Sequence, residues 1–206
     1  MERGEGAIPA ALGFRAHSGW AALVAVAGSP ASPSILLRRR VALADPGTPG
    51  SKQPYHAAEG RKLAIAEKII ARCAADARRL ARQAVRRVIR ELEAEGHRVV
   101  GCGLLLASGR PLPRLESILA SHALIHAADG ELFRDALAHA MERSGLSVTR
   151  VREKELFDRA ARDFRTAAEV LRRRVDETGR PIGPPWTQDQ KLASLAGWLA
   201  LAAISP

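Results

Sequence analysis

Between Ala57 and Glu95, apolar side chains recur at steps of three and four residues: Leu63, Ala66, Ile70, Cys73, Ala77, Leu80 and Ala84, continued by Val88 and Leu92. That spacing predicts one long amphipathic helix, and Gly96 stands where a C′ glycine would close it. The residues before it follow a different period. After a frayed "MERGEGAIPA", residues 11–16 and 20–27 read as two short strands around a Ser18-Gly19 turn. "GSPASPS" is a turn cluster, and Ile35–Ala44 reads as a third strand. Three β-segments in close succession imply an antiparallel meander. "DPGTPGSKQPY" is a Pro/Gly-rich loop that ends it.

Beyond the helix, "RVVGCGLLLA" is a continuous apolar run bounded by turn signals, as expected of a strand buried on both faces. "SGRPLP" leads into a helix from Leu115 to about His126, and a second helix is expected from Gly130 to Ser144, ended by Gly145. Asp129 reads as the N-cap of that second helix. "LSVTRV" is a fifth strand. Charged helical segments cover about 153–178, "GRPIGPP" interrupts the chain, and a last helix runs from about Gln188 to Ala203. The order is β-β-β-α-β-α-β-α, a meander that switches to helix-linked parallel strands. Right-handed crossovers leave few ways to wind it. The expectation is one α/β domain over residues 1–206: a β-meander (11–44), a long basic helix (57–95), a β-α-β unit (98–152) and C-terminal helices (153–206).

With 206 residues, 47% apolar and 26% charged, the chain is long enough for a real core and too apolar to be disordered. Aromatics make up only 4%, so Ala, Leu, Val and Ile must fill that core. Cys73 and Cys102 show no metal or redox spacing and form no framework, which favours a reducing cytoplasm. "WAALVAVAGSPAS" has the look of a secretory signal, but its apolar run is short, and Glu2 and Glu5 contradict a basic n-region. No run approaches the roughly 20 apolar residues that span a bilayer, so no membrane partner is expected. "GCG" and "SGR" match no phosphate-loop pattern, and no cofactor is expected.

"GFRAHSGWA", residues 13–21, resembles the first-strand signature of the Holliday-junction-resolvase branch of the ribonuclease H-like superfamily, in which a Gly, an apolar residue and an Asp precede small residues and Gly-Trp-Ala. Gly13, Phe14, Ser18, Gly19, Trp20 and Ala21 match. Arg15 stands where the family has its first metal-binding aspartate. "HAADGELFRDALAHAMERSGLSVTRVREKEL" is similar to the family's helix, Gly turn and fifth strand. "TQDQKLASLAGWLAL" is similar to its last helix, where two carboxylates sit three residues apart. Asp189 matches the first, and Leu192 stands in place of the second. The carboxylate near the end of the fourth strand has no counterpart in "VVGCGLLLA". The resemblance therefore implies a ribonuclease H-like fold whose metal-site positions, Arg15 and Leu192 included, have lost their acids. Arg15 would then fill with its own charge the space of an ion, pairing with Asp189. The plainer alternative puts it on a solvated strand face.

The net charge of +10 makes anionic partners, DNA or RNA, the first functional expectation, although an Arg- and Ala-rich bias is also what GC-rich coding produces. Arg72, Arg79, Arg82, Arg86 and Arg90 recur at helical spacing, and Arg38, Arg39 and Arg40 lie on the third strand. Arg suits phosphate because its planar fork bonds bidentately. The competing reading is a solvated face with i,i+4 pairs such as Arg87–Glu91. His122 and His126, four apart on a helix, could face one metal, with His56 and Glu59 as possible additions. Nothing in the sequence fixes a third ligand, so no metal is expected. Asp189 also fits the first turn of a helix capped by Thr187 and Gln190, and Glu131 sits in a first turn likewise. Three functions follow: a non-catalytic binding module using the Arg-rich face for nucleic acid or a protein partner; a divergent hydrolase built from Asp189, Glu131 and the histidines; or a homo-oligomer joined through the apolar last helix.

Overall fold

The computed structural model describes residues 6–29 and 31–204. Glu2, Glu5 and the rest of residues 1–5, together with Pro30 of the expected turn cluster, lie outside the described residues. Five strands form one sheet in the order β3-β2-β1-β4-β5: β1 (Ile8–His17), β2 (Trp20–Ser29), β3 (Ser32–Ala42), β4 (His97–Leu106) and β5 (Ser147–Arg152). The first three pair antiparallel, and β4 and β5 join them in parallel. The expected meander and its parallel extension are both present. Strand β1 starts earlier than expected because Ile8 pairs with His97 and extends the ladder. Pro33 is accommodated because β3 is an edge strand, where a missing N–H interrupts no interior ladder.

Helices cover both faces. On one, α2 (Leu63–Ala94) and α4 (His122–Glu142) pack Ala77, Ala81, Val85, Phe133, Leu137 and Met141 against Leu12, Phe14, Leu23 and Leu104. On the other, α7 (Gln188–Ala202) lies on Val24, Val26 and Leu105, flanked by α5 (Leu156–Asp163) and α6 (Ala168–Thr178). Successive strand residues face opposite sides, so Leu12 and Phe14 belong to the first core and Gly13 and Arg15 to the second.

Three expectations need correction. The helix expected from Ala57 is two: α1 (Pro54–Ala58) ends before Gly60, whose φ of +71° belongs to the left-handed region, and α2 starts only at Leu63. The pair expected at 115–126 and 130–144 is instead a short α3 (Leu115–Leu119) and a continuous α4 through Asp129 and Gly130. Asp129 is not an N-cap. It is 1% exposed and holds α1, accepting from the Tyr55 backbone N–H at 2.7 Å, so a tertiary contact overrides the local Asp-Gly break signal. Finally, every residue of α7 from Leu192 to Leu201 is buried within its own chain, so the apolar helix offers no free face for a second copy.

The α7 contact is unusually close. Gly13 and Gly103 stand side by side in the register of β1 and β4. A β-carbon at Gly13 would overlap the Ala193 carbonyl, and one at Gly103 the Ala196 carbonyl. Gly197 completes the contact, since its own β-carbon would lie 2.9 Å from the Gly13 nitrogen. Gly103→Ala is expected to cost about 3 kcal/mol in urea unfolding, the upper end of overpacking costs, because backbone rather than a flexible side chain must move. Gly130→Ala, inside α4 and facing only the end of the Arg134 side chain, should instead raise stability by roughly 0.5–1 kcal/mol.

Candidate functional site

Strand periodicity and the glycine contact together decide where Arg15 goes. Two residues along β1 from Gly13, it advances by about 6.7 Å on the α7 face. One helical turn back from Ala193, a step of about 5.4–6 Å, stands Asp189. Arg15 Nη1 accordingly donates to Asp189 Oδ1. The rest of the fork is bidentate to Glu153, with Nη2 to Oε1 at 2.8 Å and Nε to Oε2 at 2.9 Å. The Glu153 hydrogen bonds, together with the Asp189 carboxylate, hold the guanidinium more firmly protonated, against the opposing effect of its partial burial. Arg15 is therefore no loose charge on a solvated strand: its side chain is 23% exposed and that of Asp189 24%.

His17 extends the group. Its Nε2 lies 3.0 Å from Asp189 Oδ1 and 3.1 Å from Arg15 Nη1. A single ring nitrogen either donates to the carboxylate or accepts from the guanidinium, so only one of these is a hydrogen bond at a time. The His17 ring stacks on Trp20, with centroids 4.2 Å apart, and the Arg40 guanidinium lies 3.5 Å from the centroid of the Trp20 ring. A continuous polar and aromatic chain thus runs from Glu153 through Arg15, Asp189, His17 and Trp20 to Arg40. The capping box forms as expected: Thr187 Oγ1 accepts from the Gln190 N–H, and Gln190 Oε1 accepts from the Thr187 N–H. Asp189 is both a first-turn residue and the partner of Arg15. Leu192 is 6% exposed, inside the apolar core beneath α7.

The Arg-rich set divides. The pleat sends Arg39 toward α2, where it bonds Glu91, and sends Arg38 and Arg40 to the opposite side. Arg38 donates to the carbonyls of Gly183, Pro184 and Pro185, tying down the loop before α7. Three adjacent arginines on a strand therefore form no single patch. Arg79 pairs with Asp76 and lies 3.7 Å from Asp45, and Arg87 pairs with Glu91 as the i,i+4 spacing predicts. Arg72, Arg82, Arg86 and Arg90 remain on the side of α2 opposite its buried Ala77, Ala81 and Val85, with no acidic partner among the described residues. Two open depressions lie along α2: one of about 510 Å³ lined by Gln83, Arg86, Ile89, Arg90 and Ser144, and one of about 290 Å³ between β3 and α2 that Arg39, Gln83 and Arg87 help to line.

The hydrolase set does not converge. Glu131 pairs with Arg134 on α4, on the far face of the sheet from Asp189. The histidines do meet: α1 carries His56 to His122 and His126, while Glu59 is exposed and outside the group. The sequence reading missed Glu153 and His17 as partners of Arg15, Trp20 as the ring beneath His17, and Asp129 as the partner of His56. Only the odd parity shared by Arg15 and His17 on β1 was visible beforehand. Glu153 reaches the site because β5 lies two strands over, which depends on the strand order.

No protein-family model and no curated protein matches the chain. Among solved structures it is similar to Thermus thermophilus RuvC in complex with a Holliday junction substrate, with a TM-score of 0.53 and 12% identity over 94% of each chain. A second Thermus thermophilus RuvC structure matches with a TM-score of 0.49 and 14% identity over 94% of this chain and 95% of that one. The fold is ribonuclease H-like. Within it, β1, the end of β5 and the start of α7 bring Arg15, Glu153 and Asp189 together. No helix of the described residues is long and apolar enough to cross a membrane. A double-mutant cycle on Arg15→Ala and Asp189→Ala, followed by urea unfolding at neutral pH, should give a coupling of about 1–3 kcal/mol. Additive effects would mean that the two side chains do not support each other.

Proposed function

We propose that this protein binds the phosphate backbone of nucleic acid without cleaving it, through Arg72, Arg82, Arg86 and Arg90 on the outer face of α2. The observation that carries the non-cleaving half is Arg15 clamped between Glu153 and Asp189. Metal-dependent phosphodiester hydrolysis on a ribonuclease H-like fold calls for carboxylates converging on paired divalent ions about 4 Å apart. Hard cations take oxygen ligands, whereas a guanidinium only donates. Here the two nearby carboxylates already accept from Arg15, Leu192 is apolar and β4 ends in Leu104, Leu105 and Leu106. The residues present do not fit a pair of Mg²⁺ ions.

The binding half is supported by the unpartnered arginine stripe and the net charge of +10. Such a surface recognises phosphate irrespective of sequence, and its affinity falls with salt as counterions are released. The similar Thermus thermophilus protein is in complex with a Holliday junction substrate, which makes a four-way DNA junction the first ligand to try. In Mn²⁺, the full chain should shift a labelled junction on native gels at low salt, lose the shift at moderate salt, and give no product on denaturing gels. Replacing Arg72, Arg82, Arg86 and Arg90 together by Ala should weaken binding tenfold or more and flatten the salt dependence by about one unit of slope for each lost phosphate contact. Product that disappears in Asp189→Asn would overturn the non-cleaving reading; undiminished binding by the quadruple variant would overturn the assignment to α2.

A further inference from the structure

The three histidines that α1 and α4 bring together lie on the opposite face of the sheet from Arg15. We propose that His56, His122 and His126 form a binding site for a divalent transition-metal ion, zinc being the ion their donors suit, with one coordination position open to solvent. One donor atom from each ring can be chosen so that all three lie within 4.8 Å of one another. The Nε2 atoms of His122 and His126 face each other at 3.1 Å. Tetrahedral zinc with bonds of about 2.0–2.1 Å needs ligand nitrogens about 3.4 Å apart, so this pair needs almost no adjustment. The His56 ring meets His126 with centroids 4.4 Å apart and His122 at 5.3 Å, both edge-on, an arrangement that converges nitrogens rather than stacking rings.

A second observation separates this group from a chance surface cluster. His56 Nδ1 lies 2.5 Å from Oδ2 of Asp129, a carboxylate only 1% exposed. The other Asp129 oxygen accepts from the Tyr55 N–H at 2.7 Å, and no Arg or Lys pairs with it among the described residues. A buried carboxylate that accepts a hydrogen bond from Nδ1–H fixes the tautomer and leaves Nε2 as the ligand atom, which is how metal-bound histidines are oriented from behind. It also gives the buried charge a reason, since a cation on His56 compensates it. His122, His126 and Asp129 stand at i, i+4 and i+7 on α4, so one helical stripe supplies two ligands and the orienting acid. His122 and His126 are exposed and His56 is half-buried, which leaves the remaining position to water. Imidazole donors with an open position favour zinc over Mg²⁺ or Ca²⁺, which take oxygen.

Titration of the full chain with Co²⁺ alone tests the site without assuming any activity. One equivalent should produce the intense visible absorption of tetrahedral cobalt, with no thiolate band because Cys73 and Cys102 are buried. Zn²⁺ should displace it. His122→Ala and His126→Ala, both at exposed positions, should each weaken binding at least tenfold. Asp129→Asn leaves an amide oxygen to accept from the Tyr55 N–H but removes the carboxylate behind His56; as a change at a positioning residue it should weaken binding about 10–100-fold. His139→Ala, on the same helix but outside the group, should bind like the parent. A parent spectrum that stays octahedral, or a tetrahedral band that survives in the His122→Ala/His126→Ala double variant, would overturn the proposal.

Discussion

Backbone lies on backbone where α7 crosses β1 and β4, and the rest of this molecule is arranged around that contact. Gly13 and Gly103 form a smooth two-strand platform, and Gly197 removes the side chain that would hold the helix off it. Because neither partner can slide without meeting a β-carbon or a carbonyl, the contact sets the register of the helix along the strand. That register carries Asp189 to Arg15. It also puts Leu192 in the apolar core, so a charged residue there would be buried without a partner. The Arg38 fork on the carbonyls of the 183–185 loop fixes the entry to the same helix from the edge strand.

Charge is distributed in two ways. One class of arginine is internal wiring: Arg15 with Glu153 and Asp189, Arg38 on carbonyls, Arg39 and Arg87 on Glu91. The two arginines on Glu91 hold its carboxyl below the usual range. The other class, Arg72, Arg82, Arg86 and Arg90 along the outer face of α2, has no acidic partner among the described residues. The histidine group on α1 and α4 is separated from both by the sheet or by helix faces. Its own anchor, Asp129, ties the five-residue α1 to α4 through the Tyr55 N–H and His56, beside the burial of Pro54 and Ala58.

The sequence by itself determined the elements whose signals are local. Short apolar runs on either side of the Ser18-Gly19 turn specify β1 and β2, helical spacing specifies α2, Gly96 its end, and Thr187 with Gln190 the start of α7. The resemblance in "GFRAHSGWA" and "TQDQKLASLAGWLAL" pointed to the fold and to the pairing of Arg15 with Asp189. Local signals failed where a long-range contact outweighed them. Asp129-Gly130 reads as a helix start, yet burial against α1 carries the helix straight through it. Arg38, Arg39 and Arg40 read as one patch, yet the pleat and the covering helices give each a different partner. Only the tertiary structure decided that Glu153 completes the Arg15 clamp and that His56 joins His122 and His126, because both depend on which strands and helices become neighbours. Periodicity is a property of a few adjacent residues, whereas these sites join side chains 73, 138 and 174 positions apart, brought together by strand order and by the glycine contact under α7.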